Sequence, residues 1–150
     1  MSSTAERRTG YGASAVQKVS ILFGVVFLLV GIAGFIPGLT SDIGAIEFAS
    51  HTSGAMLLGI FQVSILHNIV HLLFGIAGLA LAGSVSGARG YLVVGGIIYA
   101  VLWVYGLVVP HDHAANFVPL NGADNWLHLG LAVAMLALGL ALTRGVRQRA

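Results

Sequence analysis

The chain has 150 residues, of which 57% are hydrophobic and only 8% charged, whereas soluble domains carry roughly 25% charged residues. With a mean hydropathy of +0.95, so few charges cannot solvate a water-facing surface, which excludes a soluble enzyme and a disordered chain. The pI is near 9.4, but the net charge is only +2; without a dense basic patch no nucleic-acid partner is expected. The absence of cysteine excludes disulfides, thiolate metal sites, iron–sulfur clusters and c-type haem attachment.

In chain order, the charges divide the sequence into apolar runs. Residues 1–18 form a basic tail carrying Arg7, Arg8 and Lys18. Lys18 to Asp42, Glu47 to Arg89, Arg89 to Asp112 and Asp124 to Arg144 each enclose a stretch with no charged side chain. A membrane-crossing helix needs about 20 mostly apolar residues, so the spacing predicts four: 19–37, 64–83, 90–109 and 125–143. The first is read as a retained helix, since its run is too long for a signal-peptide core. An outer segment, 38–63, joins helices 1 and 2 and is expected to continue into helix 2. A single helix from Gly54 to Ala82 would be ~44 Å long, too long for the hydrocarbon core without strong tilt. The fourth helix is followed by a basic tail at 144–150.

The bases also set the expected orientation. With four crossings, Arg7, Arg8, Lys18, Arg89, Arg144, Arg147 and Arg149 fall on one side, while Asp42, Glu47, Asp112 and Asp124 fall on the other. The positive-inside rule then places both termini in the cytoplasm. The reading is an all-α, integral membrane four-helix bundle of multi-pass type in the plasma membrane.

Helical spacing sorts the few polar residues. His67, His71, Gly75, Gly78 and Ala82 share one face of helix 2, and Asp124, His128, Ala132, Met135 and Gly139 share one face of helix 4. Gly24, Phe27 and Gly31 mark the packed face of helix 1, and Gly96, Tyr99, Trp103 and Gly106 that of helix 3. Small residues mark close helix approach and polar side chains avoid lipid, so these faces point inward. Asn68-Ile-Val-His71-Leu72 also echoes Asn125-Trp-Leu-His128-Leu129 at similar depth. That echo points to a duplicated hairpin about an axis along the membrane normal.

Several chemistries fit the inner group of His67, Asn68, His71, Asp124, Asn125 and His128. Asn68 and Asn125 can hydrogen-bond across helices and fix their register. His67, His71, His128 and Asp124 are the candidate ligands of a metal, because histidines four apart share a helix face, although the glutamate of H-E-x-x-H is missing. A b-type haem between His71 and His128, or a pH-sensing role, uses the same residues. No polar group continues inward below His71 and His128, so no transport path is expected. No cofactor is fixed by the pattern, and no nucleophile–base pair or phosphate loop is present, so no enzymatic activity is expected. His51 and His111-Asp112-His113 read as solvated loop residues. Trp103, Tyr105 and Trp126 read as interfacial anchors in the outer leaflet.

The stretches FIPGLT (35–40), GIFQVSILHNIVHLLFGIAGL (59–79), YGLVVPHDHAANFVPLN (105–121) and ADNWLHLGL (123–131) resemble a family of actinobacterial four-helix membrane proteins known only as a domain of unknown function. The resemblance runs from about Lys18 to Arg144. It implies an integral membrane protein and supplies no activity, substrate or cofactor. Two functional expectations follow. One is a small non-enzymatic accessory or envelope-associated subunit, packing through glycine-rich faces against a membrane-protein partner or a second copy within the lipid bilayer. The other is a metal- or haem-binding redox or sensor protein using the histidines.

Overall fold

In a computed structural model, which describes residues 10–147, four helices dominate. They are α1 (Ala15–Ala33), α2 (Ile65–Leu81), α3 (Val85–Val108) and α4 (Gly122–Arg147). Arg7, Arg8 and Arg149 lie outside the described residues. Between α1 and α2 run three two-residue strands, β1 (Thr40–Ser41), β2 (Met56–Leu57) and β3 (Phe61–Gln62), with a 3-10 turn at Ile43–Ala45. The strands pair antiparallel in the order β1-β2-β3. The class is all-α, and α1, α3 and α4 are long and apolar enough to cross a membrane. At 17 residues, α2 is apolar but shorter, about 26 Å.

Hydrogen-bonding side chains, rather than charges, set where the helices start. Ser14 accepts from the Gln17 amide (3.3 Å) while the Gln17 side chain accepts from the Ser14 amide (2.9 Å), a reciprocal box that starts α1 ahead of residue 19. Ser64 caps α2 and Ser84 caps α3, each accepting from the amide three residues on. The α3 cap carries that helix back to Val85, ahead of the Arg89 boundary that charge spacing marks. At its far end α1 stops at Ala33, short of residue 37, where Gly34 is the C-cap and the Thr40 hydroxyl donates to the Ala33 carbonyl.

The outer segment does not continue into α2. Residues 38–63 fold back as the small sheet, which ends before the Ser64 cap. Its apolar side, Ala55, Leu57 and Val63, packs on Val30 and Ala33 at the outer end of α1. Paired strands and turns satisfy the backbone there, so the long helix weighed from Gly54 does not form.

Consecutive helices pair as two hairpins, α1 with α2 and α3 with α4, which meet chiefly along α1 and α3. Each pair closes on glycine. A Cβ on Gly24 would lie 3.0 Å from the Gly75 carbonyl oxygen and the Leu79 amide, and one on Gly96 would lie 3.0 Å from the Leu136 amide. The glycine faces are therefore occupied by neighbouring helices of the same chain. Buried polarity is inverted relative to a soluble protein. Gln17, Ser20, His67, Asn68, His71, Asp124, Asn125 and His128 are buried, while Leu22, Leu29, Leu73, Ile76, Val101 and Val133 are exposed. Apolar side chains outside and polar ones inside are the arrangement that a lipid environment selects.

Candidate functional site

The six inner polar residues are all buried and lie in the first two turns of α2 and α4. Ser64 and Asn121 cap these helices at matching positions, so both carry their polar residues at the same depth. A single sequence offset relates Ser64, His67, Asn68, His71 and Leu79 to Asn121, Asp124, Asn125, His128 and Leu136, and a second relates Gly24, Phe27 and Gly34 to Gly96, Tyr99 and Gly106.

The geometry follows both offsets. A Cβ on Gly34 would overlap the Asn68 amide, and one on Gly106 would overlap the Asn125 amide. Asn125 Nδ2 donates to the Gly106 carbonyl at 2.7 Å. Phe27 packs on His71 at 5.6 Å between centroids, and Tyr99 on His128 at 5.2 Å. Phe27 and Tyr99 then stack on each other at 5.5 Å and 3°, where α1 meets α3. These equivalences describe two hairpins that make matching contacts and meet at that aromatic pair.

Two further bonds cross between the hairpins: Asp124 Oδ2 accepts from the Gln62 amide at 3.2 Å, in the strand before α2, and Asn121 Nδ2 donates to the Ile60 carbonyl at 2.8 Å. Asp124 also accepts from the Asn121 amide (3.0 Å) while Asn121 Oδ1 accepts from the Asp124 amide (3.0 Å), a reciprocal cap that starts α4 at Gly122. Helical spacing puts Asp124 on the face of His128, but the hydrogen-bond partners of its carboxylate are the Asn121 and Gln62 amides.

The histidines form a cluster without converging on one point. His71 Nδ1 bonds the His67 carbonyl at 3.0 Å, and the two rings stack at 4.5 Å and 12°. Imidazole lone pairs lie in the ring plane, so two nearly parallel stacked rings cannot both point at an ion with bonds of about 2 Å. Among the described residues, no group of three or more His, Asp or Glu side chains could hold a metal ion. A porphyrin between His71 and His128 would have to displace the Phe27–Tyr99 stack. The buried atoms His67 Nδ1, Asn68 Nδ2, Asn125 Oδ1 and His128 Nδ1 have no hydrogen-bond partner.

The other residues singled out lie in the loops and at the rim. His51, Asp112 and His113 are not buried, and His113 Nδ1 accepts from the Ala115 amide at 3.0 Å. Trp126 is 73% exposed, Trp103 is half-buried, and the Tyr105 hydroxyl donates to the Ala115 carbonyl. An apolar surface groove of about 550 Å³ runs along Ile97, Val101, Val104 and Val108 of α3; it holds none of the polar cluster. Sequence reasoning gives Gln62 and Asn121 no functional role, although Pro119 and Asn121-Gly122 are visible loop signals.

No curated protein and no solved structure matches the chain. One family model does, over residues 17–141, covering all four hairpin-forming segments and the polar cluster. The chain belongs to the family described as Domain of unknown function (DUF4383).

Proposed function

We propose that the protein is a four-crossing plasma-membrane protein with both termini in the cytoplasm, acting as a non-catalytic accessory subunit of the envelope. The observation that carries this reading is where the chemically capable side chains are engaged. Asp124 takes the Gln62 amide across the two hairpins, Asn125 holds the Gly106 carbonyl within the second, and His71 bonds the His67 carbonyl within α2. What the bundle offers outward is almost wholly apolar, which is the surface for lipid and for a partner helix. The sorted charges support the orientation, with Lys18 and Arg89 at one end and Asp42, Glu47 and Asp112 at the other. The antiparallel pairing of α2 with α1 supports a fourth crossing. The resemblance of the HNIVHLLFG and ADNWLH stretches to actinobacterial proteins supports the plasma membrane as the host bilayer.

Gentle detergent extraction followed by affinity purification tests the role. A defined membrane-protein partner, or a discrete homo-oligomer, is expected to co-purify in fixed ratio. Recovery of monomer alone across several mild detergents and after crosslinking in cells would refute a subunit role. Reporter fusions at residue 150 should read cytoplasmic and insertions beside Asn121 external; the reverse pattern would overturn the orientation.

A further inference from the structure

The tip of the β2–β3 hairpin has a composition that water does not explain. The Ile60 amide donates to the Leu57 carbonyl at 3.1 Å, closing a turn in which Leu58 (φ 53) and Gly59 (φ 69) both have positive φ. Turns of this kind take Asn, Asp or Gly at the first of these positions when they face solvent, because a bulky apolar residue disfavours left-handed backbone. Here a leucine occupies it, 61% exposed, with Ile60 at 53% beside it. The run from Phe48 to Ala88, which contains the whole hairpin, has no charged residue.

The tip is held at a defined height. The Leu58 amide donates to the Leu39 carbonyl at 2.7 Å, and Asn121 Nδ2 donates to the Ile60 carbonyl at 2.8 Å. Asn121 is the cap of α4, so Leu58 and Ile60 sit level with the start of that helix. Trp126 projects from its second turn, and indole rings collect at the membrane–water boundary. The exposed apolar surface of the tip therefore continues the apolar exterior of the helices at its outer rim.

We propose that this hairpin tip is an interfacial anchor, with Leu58 and Ile60 seated in the glycerol and upper acyl region of the outer leaflet beside Trp126. The proposal rests on the membrane-crossing reading and adds where the outer segment docks and on what. The left-handed leucine then has a physical role: the turn aims an apolar side chain at lipid instead of turning it into the sheet. By lying at the interface, the outer segment would also shield the polar cluster beneath it from the outer solution.

The absence of native cysteine allows a direct test. Leu58→Cys and Ile60→Cys, with Thr52→Cys as a water-facing reference and Ile97→Cys as a mid-bilayer reference, are labelled with an environment-sensitive fluorophore. Each is reconstituted in phosphatidylcholine–phosphatidylglycerol vesicles containing shallow- or deep-brominated acyl chains. Labels at 58 and 60 should be quenched at least two-fold more than the label at 52 by shallow bromines, and less than the label at 97 by deep ones. Aqueous iodide should rank 52 above both. Labels at 58 and 60 that behave like 52 overturn the anchor while quenching at 97 leaves the membrane reading standing. No quenching at 97 overturns both. Protection of 58 and 60 in native membrane vesicles but not in pure lipid assigns the tip to a protein partner and overturns the lipid anchor.

Discussion

Gly106→Ala tests the packing of the second hairpin most sharply. At a helix position with open space, replacing glycine by alanine stabilises by about 1 kcal/mol. Gly90, on the same helix, has nothing within 4 Å of a built Cβ and serves as that reference. At Gly106 the new methyl enters the volume of the Asn125 amide, and overpacking of a close contact costs about 1–3 kcal/mol. The displaced amide also loses its 2.7 Å bond to the Gly106 carbonyl, worth about 0.6 kcal/mol on average between membrane helices. Offsetting these against the propensity gain leaves Gly106→Ala destabilised by about 0.6–2.6 kcal/mol, so it should fall roughly 1.6–3.6 kcal/mol below Gly90→Ala. Asn125→Ala vacates the space, so adding it to Gly106→Ala should recover part of the loss, giving a coupling opposite in sign to either single change. Reversible unfolding in mixed dodecyl maltoside–SDS micelles, followed by far-ultraviolet circular dichroism, measures all four proteins. A Gly106→Ala variant as stable as Gly90→Ala, or additive with Asn125→Ala, would refute the reasoning.

Three further outcomes follow from the geometry. Asp124→Ala should lose about 1–3 kcal/mol in the same assay, because the Gln62 and Asn121 amides both lose their acceptor; Asp124→Asn keeps one acceptor oxygen and should lose less, and equal losses would argue against the bonding described. Leu58→Gly should raise stability in detergent by about 1 kcal/mol, since glycine adopts positive φ without the steric penalty of a side chain; a decrease would show that the leucine packs on the protein. His71→Asn and His128→Asn should each keep the fold and cost no more than about 1.7 kcal/mol, and the purified wild-type protein should show no Soret band and sub-stoichiometric transition metal by mass spectrometry. Stoichiometric haem or metal that either variant abolishes would instead establish a cofactor site.

Much of the helical framework was legible because its cause is local. Helical periodicity put Gly24, Phe27, Gly31, His67, His71, Gly75, His128 and Met135 on inward faces, where the structure buries them. The repeated Asn-x-x-His was equally visible, since two like hairpins carry like spacing. The expected start of helix 2 agrees with its Ser64 cap, whereas those of helices 1, 3 and 4 fall late, because Ser14, Ser84 and Asn121 start helices through hydrogen bonds at positions where no charge stands.

The sequence by itself determined that the protein belongs in lipid: twelve charged residues cannot solvate its surface, and their positions separate runs long enough to form apolar helices. Tertiary structure decided what the inner polar residues do. Asp124 reaches the Gln62 amide, 62 residues back along the chain, in a segment whose course no local pattern encodes. Asn68 and Asn125 each meet a glycine that only hairpin packing brings near. The Phe27–Tyr99 stack exists only because α1 and α3 pack together. These contacts join residues distant in sequence, so they are fixed by packing and not by periodicity.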